Sequence, residues 1–240
     1  MEKDRGSKII AVLALAVAVV GLSLGFAAFS STLTIEPSAV VIPEDNMRII
    51  FSNVNGAPTE TTVTGTMNAA MESARTRLAA TGLKDPNLPA AANATIDNTN
   101  LKAPKITNLK ATFTAPGQSV SYTFFVYNEM TYEAFLKTIS FDTSKYSCQP
   151  GTGTDATTAA SVCQSITVDV NVASDAATAN VAGNGSVTKN EFTASSAHSL
   201  AGQTGETVVV TISYPVGSPE TNGDVTVRLP DVQMNYSSAE

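Results

Sequence analysis

From residue 32 onward the chain alternates apolar and polar side chains with a period of two, and this pattern constrains its folding most. Ile166, Val168, Val170 and Val172 fall on one face of an extended segment, with Thr167, Asp169 and Asn171 on the other. Val120, Tyr122, Phe124 and Val126 repeat the pattern, as do Val208, Val210, Ile212 and Tyr214. It returns at Val225, Val227 and Leu229, and again at Val232, Met234 and Tyr236. Successive side chains of a strand point to opposite faces, so this period marks half-buried strands. Further strands are expected at 33–35, 47–54, 61–66 and 106–114. Asn-Gly pairs at 55–56, 184–185 and 222–223 supply turns, because both residues tolerate positive φ. Roughly ten short strands so punctuated predict an all-β fold, a β-sandwich of the jelly-roll or immunoglobulin-like kind.

One segment departs from the rule. Met67, Met71, Ala74 and Leu78 are spaced for one face of a helix near 68–81. Asn68 can cap its start and Gly82 its end, and Arg75 and Arg77 suit its negative C-terminal dipole. A single short helix inserted between strands is therefore expected. The stretch 83–105, with Pro86, Pro89 and Pro104, reads as a loop. Residues 31–240 are expected to form one domain.

Ahead of that domain, residues 9–29 read IIAVLALAVAVVGLSLGFAAF, apolar but for Ser23 and two glycines, after Lys3, Arg5 and Lys8. Such a run spans a bilayer core of about 30 Å as a helix. It equally fits a secretory signal, since Gly25-Phe26-Ala27 before Ala28 puts small side chains where signal peptidase reads them. Residues 1–30 thus read as a signal peptide cut between Ala27 and Ala28, or as a retained membrane anchor. Either way the remainder is expected outside the cytoplasmic membrane, at the cell surface. Cys148 and Cys163, 15 residues apart, are the only cysteines and suit an oxidising compartment. A bridge between them, closing the apparent loop QPGTGTDATTAASV, would restrict the unfolded chain by about 3 kcal/mol.

Composition narrows the chemistry. Charged residues are 15% of the chain, below the roughly 25% of ordinary domains. The net charge is −7, which argues against a nucleic-acid partner, because phosphate binding needs a basic field. The only histidine, His198, stands among Ser195, Ser196 and Ser199. Neighbours in sequence are not a catalytic triad, and no enzymatic role is expected. The GTGTD stretch at 151–155 is expected to open no helix and is followed by no Lys-Ser/Thr, so no phosphate loop is read there. Glu220, Asn222 and Asp224 alternate oxygen donors around a glycine, a partial echo of a calcium loop without EF-hand spacing. No other metal site and no cofactor are expected.

At 115–136 the chain reads APGQSVSYTFFVYNEMTYEAFL, and the apolar segment ends GFAAFSSTLTI. Together these resemble the TasA/camelysin group of bacterial biofilm-fibre proteins, with Pro116, Gly117, Phe124, Asn128 and Leu136 on the matching positions. Met130 stands where that pattern has a glycine. The resemblance implies a jelly-roll subunit, exported and freed of its signal, that polymerises into surface fibres. In such fibres the N-terminal segment adds a strand to the next subunit, which here would place Phe29, Leu33 and Ile35 as anchors. Pro37 would end the pairing, having no N–H to give. The same residues also fit the first strand of their own domain. A second resemblance, of Arg5-Gly6 to the leader of type IV and archaeal pilin-like proteins, implies instead a retained helix at a filament core. Position five of that mature chain would be Ala11 rather than the glutamate of bacterial pilins. A third reading is a membrane-tethered adhesion module that binds other surface proteins without polymerising.

Overall fold

The structure is a computed structural model describing residues 47–53, 61–82, 88–141, 146–172 and 198–238. The apolar run 9–29, Ala27 and Ala28, Phe29, Leu33 and Ile35, the turns at 55–56 and 184–185, and Ser195 and Ser196 lie outside the described residues. Among the described residues no helix is long and apolar enough to cross a membrane.

In chain order the elements begin β1 (Ile49–Ser52), β2 (Thr62–Val63), β3 (Gly65–Met67), α1 (Ala69–Ala80), β4 (Ala90–Ala91), β5 (Ala94–Asp97), β6 (Lys105–Thr107) and β7 (Lys110–Phe113). There follow β8 (Gln118–Asn128), β9 (Ala134–Phe141), β10 (Ser147–Pro150), α2 (Ala156–Ser165), β11 (Thr167–Val172), β12 (His198–Leu200), β13 (Gly205–Tyr214), β14 (Val225–Arg228) and β15 (Val232–Ser237). Among the described residues the fold is all-β with two short helices. Its three antiparallel sheets have the orders β1-β8-β13-β11 with β3 also on β8, β10-β14-β7-β4, and β12-β9-β15-β6-β5-β2.

The alternation builds the core directly. In the first sheet the register aligns Val168, Ile212 and Val120 in one row, Val170, Val210 and Tyr122 in the next, and Val172, Val208 and Phe124 in the third. All nine side chains are buried. Phe51 of β1 packs on Phe124 with ring centroids 4.8 Å apart. Removing this much apolar surface from water, at about 25 cal/mol per Å², is the main drive for the sheets to close on one another.

Two expected strands are each split, and each split carries the chain to another sheet. The 61–66 segment divides into β2, which pairs with β5, and β3, which pairs with β8. The 106–114 segment breaks at Asn108, whose φ of 60° lies in the left-handed region that asparagine tolerates. The stretch 83–105 is not the continuous loop expected, since it contains β4 and β5.

Helix α1 forms as its signals predict, with the Asn68 side chain accepting from the Met71 N–H at 3.0 Å and Met71 and Ala74 buried. A second helix corrects the expectation of only one. The stretch between the cysteines is not a loop, and GTGTD does open a helix: Asp155 caps α2, accepting from the Thr158 N–H at 2.8 Å. Ala159 and Val162 bury its inner face. The local reason is the cap followed by an alanine-rich turn, which outweighs the β preference of Thr157 and Thr158.

The Pro116-Gly117 turn leads into β8. Gly117 has φ +89°, closed to most side chains, and its N–H meets the Tyr214 carbonyl at 2.6 Å. At the other end of β8, Asn128 is fully buried and ties two turns together. Its amide nitrogen donates to the Tyr132 carbonyl at 2.8 Å and the Leu200 carbonyl at 3.0 Å, while its oxygen accepts from the Met130 N–H at 3.0 Å. Met130 has no positive φ, so its backbone does not require a glycine, and its side chain is buried.

Candidate functional site

The Cys148–Cys163 disulfide is formed, with Cα atoms 5.6 Å apart, and ties α2 to the edge strand β10. Tyr146 buttresses it: its hydroxyl donates to the Cys163 carbonyl at 2.7 Å, and burial pushes that phenol up to about 12.

The turn before β14 holds the three residues that echo a calcium loop. Thr221 organises it, its hydroxyl accepting from the Gly223 N–H at 2.9 Å and donating to the Gly223 carbonyl at 2.7 Å. Tyr214 donates its hydroxyl to the Pro219 carbonyl, and burial followed by the nearby Glu220 charge raises its pKa. Asp224 is buried, whereas Glu220 and Asn222 are exposed, and Asn222 and Asp224 line one cavity. Among the described residues no three His, Cys, Asp or Glu side chains are grouped to hold a metal ion. A cavity of about 300 Å³ opens beside this turn, walled by Arg77 and Leu78 of α1, Leu88, Ala115 and Asp224.

His198 begins the edge strand β12, opposite Leu136 of β9. Its neighbours Ser195 and Ser196 lie outside the described residues. Glu129 is held by Arg48 at 2.8 Å.

A second, larger groove of about 670 Å³ lies where the four- and six-stranded sheets meet, lined by Lys105, Asn108, Ser147, Arg228 and two aspartates, Asp97 and Asp231. Asp97 is already engaged. The Thr99 hydroxyl and N–H and then Lys105, at 3.2 Å, hold its carboxyl below the usual carboxylate range. Arg228 and Lys110 face each other across the β14–β7 ladder. That pairing leaves no trace in the sequence, because it depends on a register between strands more than a hundred residues apart.

Sheet edges are the remaining surfaces that can act chemically, since an edge presents unpaired N–H and C=O groups. The outer side of β1 is closed. Its Ile49 N–H reaches the Leu101 carbonyl at 2.8 Å, and the Asn98 side chain binds both backbone groups of Phe51 at 2.8 Å. At the opposite edge, β11 pairs with β13 over all six of its residues. No backbone hydrogen bond from another described segment covers its outer side. Asp169 sits mid-strand there, its carboxyl raised by burial. Comparison of the chain with family models, with curated proteins and with solved structures found no match.

Proposed function

We propose that this chain is an exported structural subunit of a cell-surface fibre that assembles by adding its N-terminal strand to the sheet of the next subunit. The observation that carries the reading is β11. It is an edge strand of the five-stranded sheet, with Val168, Val170 and Val172 directed into the core and an outer side open among the described residues. An added strand there would gain backbone hydrogen bonds, and the pleat would fix its register. Residues 28–36, AFSSTLTIE, have the β-branched and aromatic content for that role, with Phe29, Leu33 and Ile35 as alternating anchors. The disulfide is compatible with an oxidising compartment. A jelly-roll or immunoglobulin-like connectivity belongs to the same reading.

The test compares the mature chain with a variant lacking residues 28–36. Polymers from the first and monomers from the second are expected, read by light scattering and electron microscopy. Polymerisation of the truncated chain would overturn donor-strand assembly. The N-terminal sequence of protein taken from cells separates the alternatives: a start near Ala28 fits a fibre subunit, Ser7 a helix-cored pilin, and Met1 a tethered module.

A further inference from the structure

We infer that the outer face of the β10-β14-β7-β4 sheet is a docking face for carboxylates of a second copy of this chain, with Arg228 and Lys110 as its contact residues. The inference rests on the fibre reading and concerns a surface that donor-strand exchange does not use. The register puts Ser147, Arg228 and Lys110 in one row across three strands, and Gln149, Thr226 and Thr112 in the next. Residues aligned this way share a face. The opposite face carries Cys148, Val227, Ala111, Val225 and Phe113, which pack on the core.

On the outer face, two cations stand directly opposite one another. Like charges in that position destabilise a sheet. Three other described cations stand beside carboxylates, Arg48 with Glu129, Arg75 with Glu72, and Lys105 with Asp97, and Lys137 lies over the Phe135 ring. Arg228 and Lys110 have no such partner among the described residues. Asp97, on the wall of the adjoining groove, is taken by Lys105, and Asp231 on that wall is buried and engaged. Among the described residues the arrangement is therefore a basic pair with no carboxylate bound to it, and with hydroxyl and amide groups in the neighbouring row. A guanidinium on that pair can take a carboxylate through two parallel N–H donors.

Charge complementarity selects the occupant. The chain carries 21 acidic against 14 basic residues, so a second copy offers carboxylates in excess of cations. A basic pair confined to one face then sets which face meets the next subunit, since such charges mainly direct encounter and register.

The test is the assembly rate of the full mature chain against Arg228→Gln, Lys110→Gln and the double variant, at low salt and in about 1 M salt, where screening cuts the Debye length to about 3 Å. Wild type is expected to assemble about tenfold faster than the double variant at low salt, with the gap closing in high salt as screening removes the attraction of the basic pair. Arg228→Lys with Lys110→Arg should retain the salt response. The monomer of the double variant should melt no lower than wild type, because the like-charge contact is gone, and this separates docking from folding. If the double variant assembles as fast as wild type, the docking face is overturned while the fibre reading stands. If the wild-type chain forms no polymer, the fibre reading fails and this proposal with it. If wild type and variants are slowed equally by salt, other charges steer assembly and this face does not.

Discussion

The side-chain amide of Asn98 binds Phe51 through both backbone groups, accepting from its N–H and donating to its carbonyl, each at 2.8 Å. It does what a neighbouring strand would do and so closes the outer edge of β1, all four of whose residues are buried. Asn98→Ala would leave two buried backbone groups without partners, at a cost of about 2 kcal/mol. Asn98→Asp keeps the acceptor and loses the donor, so its loss should be smaller than that of alanine. Urea unfolding of the two variants checks the order. Equal midpoints for Asn98→Ala and wild type would show that water replaces the clamp without loss.

Tyr122 joins elements of different sheets. Its hydroxyl donates to the Lys110 carbonyl at 2.7 Å with the Ala92 carbonyl at 3.0 Å, and the Lys110 N–H donates back at 3.3 Å. Gly65 leaves room for the ring, since a Cβ there would lie 2.9 Å from Tyr122 Cε1 and 3.0 Å from the Ala92 carbonyl oxygen. Tyr122→Phe should cost about 1–2 kcal/mol through the lost hydrogen bonds of the hydroxyl, since the Lys110 carbonyl keeps the Ala92 N–H as a donor. Gly65→Ala should cost more than Tyr122→Phe, since backbone as well as ring must shift. Thermal melts of the two variants give the comparison.

The same tyrosine sets a response to alkali. Burial, opposed by the hydrogen bond to Lys110, raises its pKa from 10.0 to about 12, and burial alone does the same for Tyr146. The folded chain therefore holds these protons where the unfolded chain has lost them. Their contribution is fully present below pH 10.0 and is lost as pH rises towards about 12. Stability measured from pH 9 to 12 should fall over that window, and Tyr122→Phe should fall less steeply. Parallel slopes for the two proteins would remove Tyr122 from the account.

Where side chains repeat with a fixed period, the fold was legible. Strands β8, β11, β13, β14 and β15 follow from their valines and aromatics, and α1 from Asn68 and its Met71/Ala74 stripe. What escaped depends on contacts that sequence spacing does not encode. The two-residue strand β4 is only alanine, and β5 buries just Ala94 and Ile96, too short a pattern to stand out from a polar loop. Helix α2 was missed, although Asp155 three residues before Thr158 is a cap signal the sequence does carry. Its threonines and its place between two cysteines hid it. Neither the Asn98–Phe51 clamp, 47 positions apart, nor the Lys110–Arg228 pairing leaves any local trace.

The Asp155 cap provides a further check on α2. The Thr158 N–H and then its hydroxyl hold this carboxyl below its ordinary pKa. Stability from that cap is present above the unfolded carboxyl's pKa of 3.8 and is lost as pH falls below it through the folded value. Asp155→Asn keeps an oxygen acceptor and should remove part of the acid sensitivity while leaving neutral stability close to wild type. Asp155→Ala should lower the melting temperature at neutral pH as well. Acid titrations followed by circular dichroism distinguish the pair, and identical profiles for all three proteins would mean that α2 does not depend on its cap.

The disulfide bears on the same helix from its other end. Cys163 lies in the last turn of α2 and Cys148 on β10, so reduction frees the helix from the sheet edge. Closing a loop of 15 residues stabilises by about 3 kcal/mol through the unfolded chain. Cys148→Ser with Cys163→Ser, or added reductant, should lower the unfolding free energy by about that amount. The Tyr146 hydroxyl hydrogen bond to the Cys163 carbonyl should weaken with it, so the alkaline fall attributed to Tyr146 should become shallower in the reduced protein. A chain equally stable with and without reductant would show that packing of Ala159 and Val162 alone holds α2 in place.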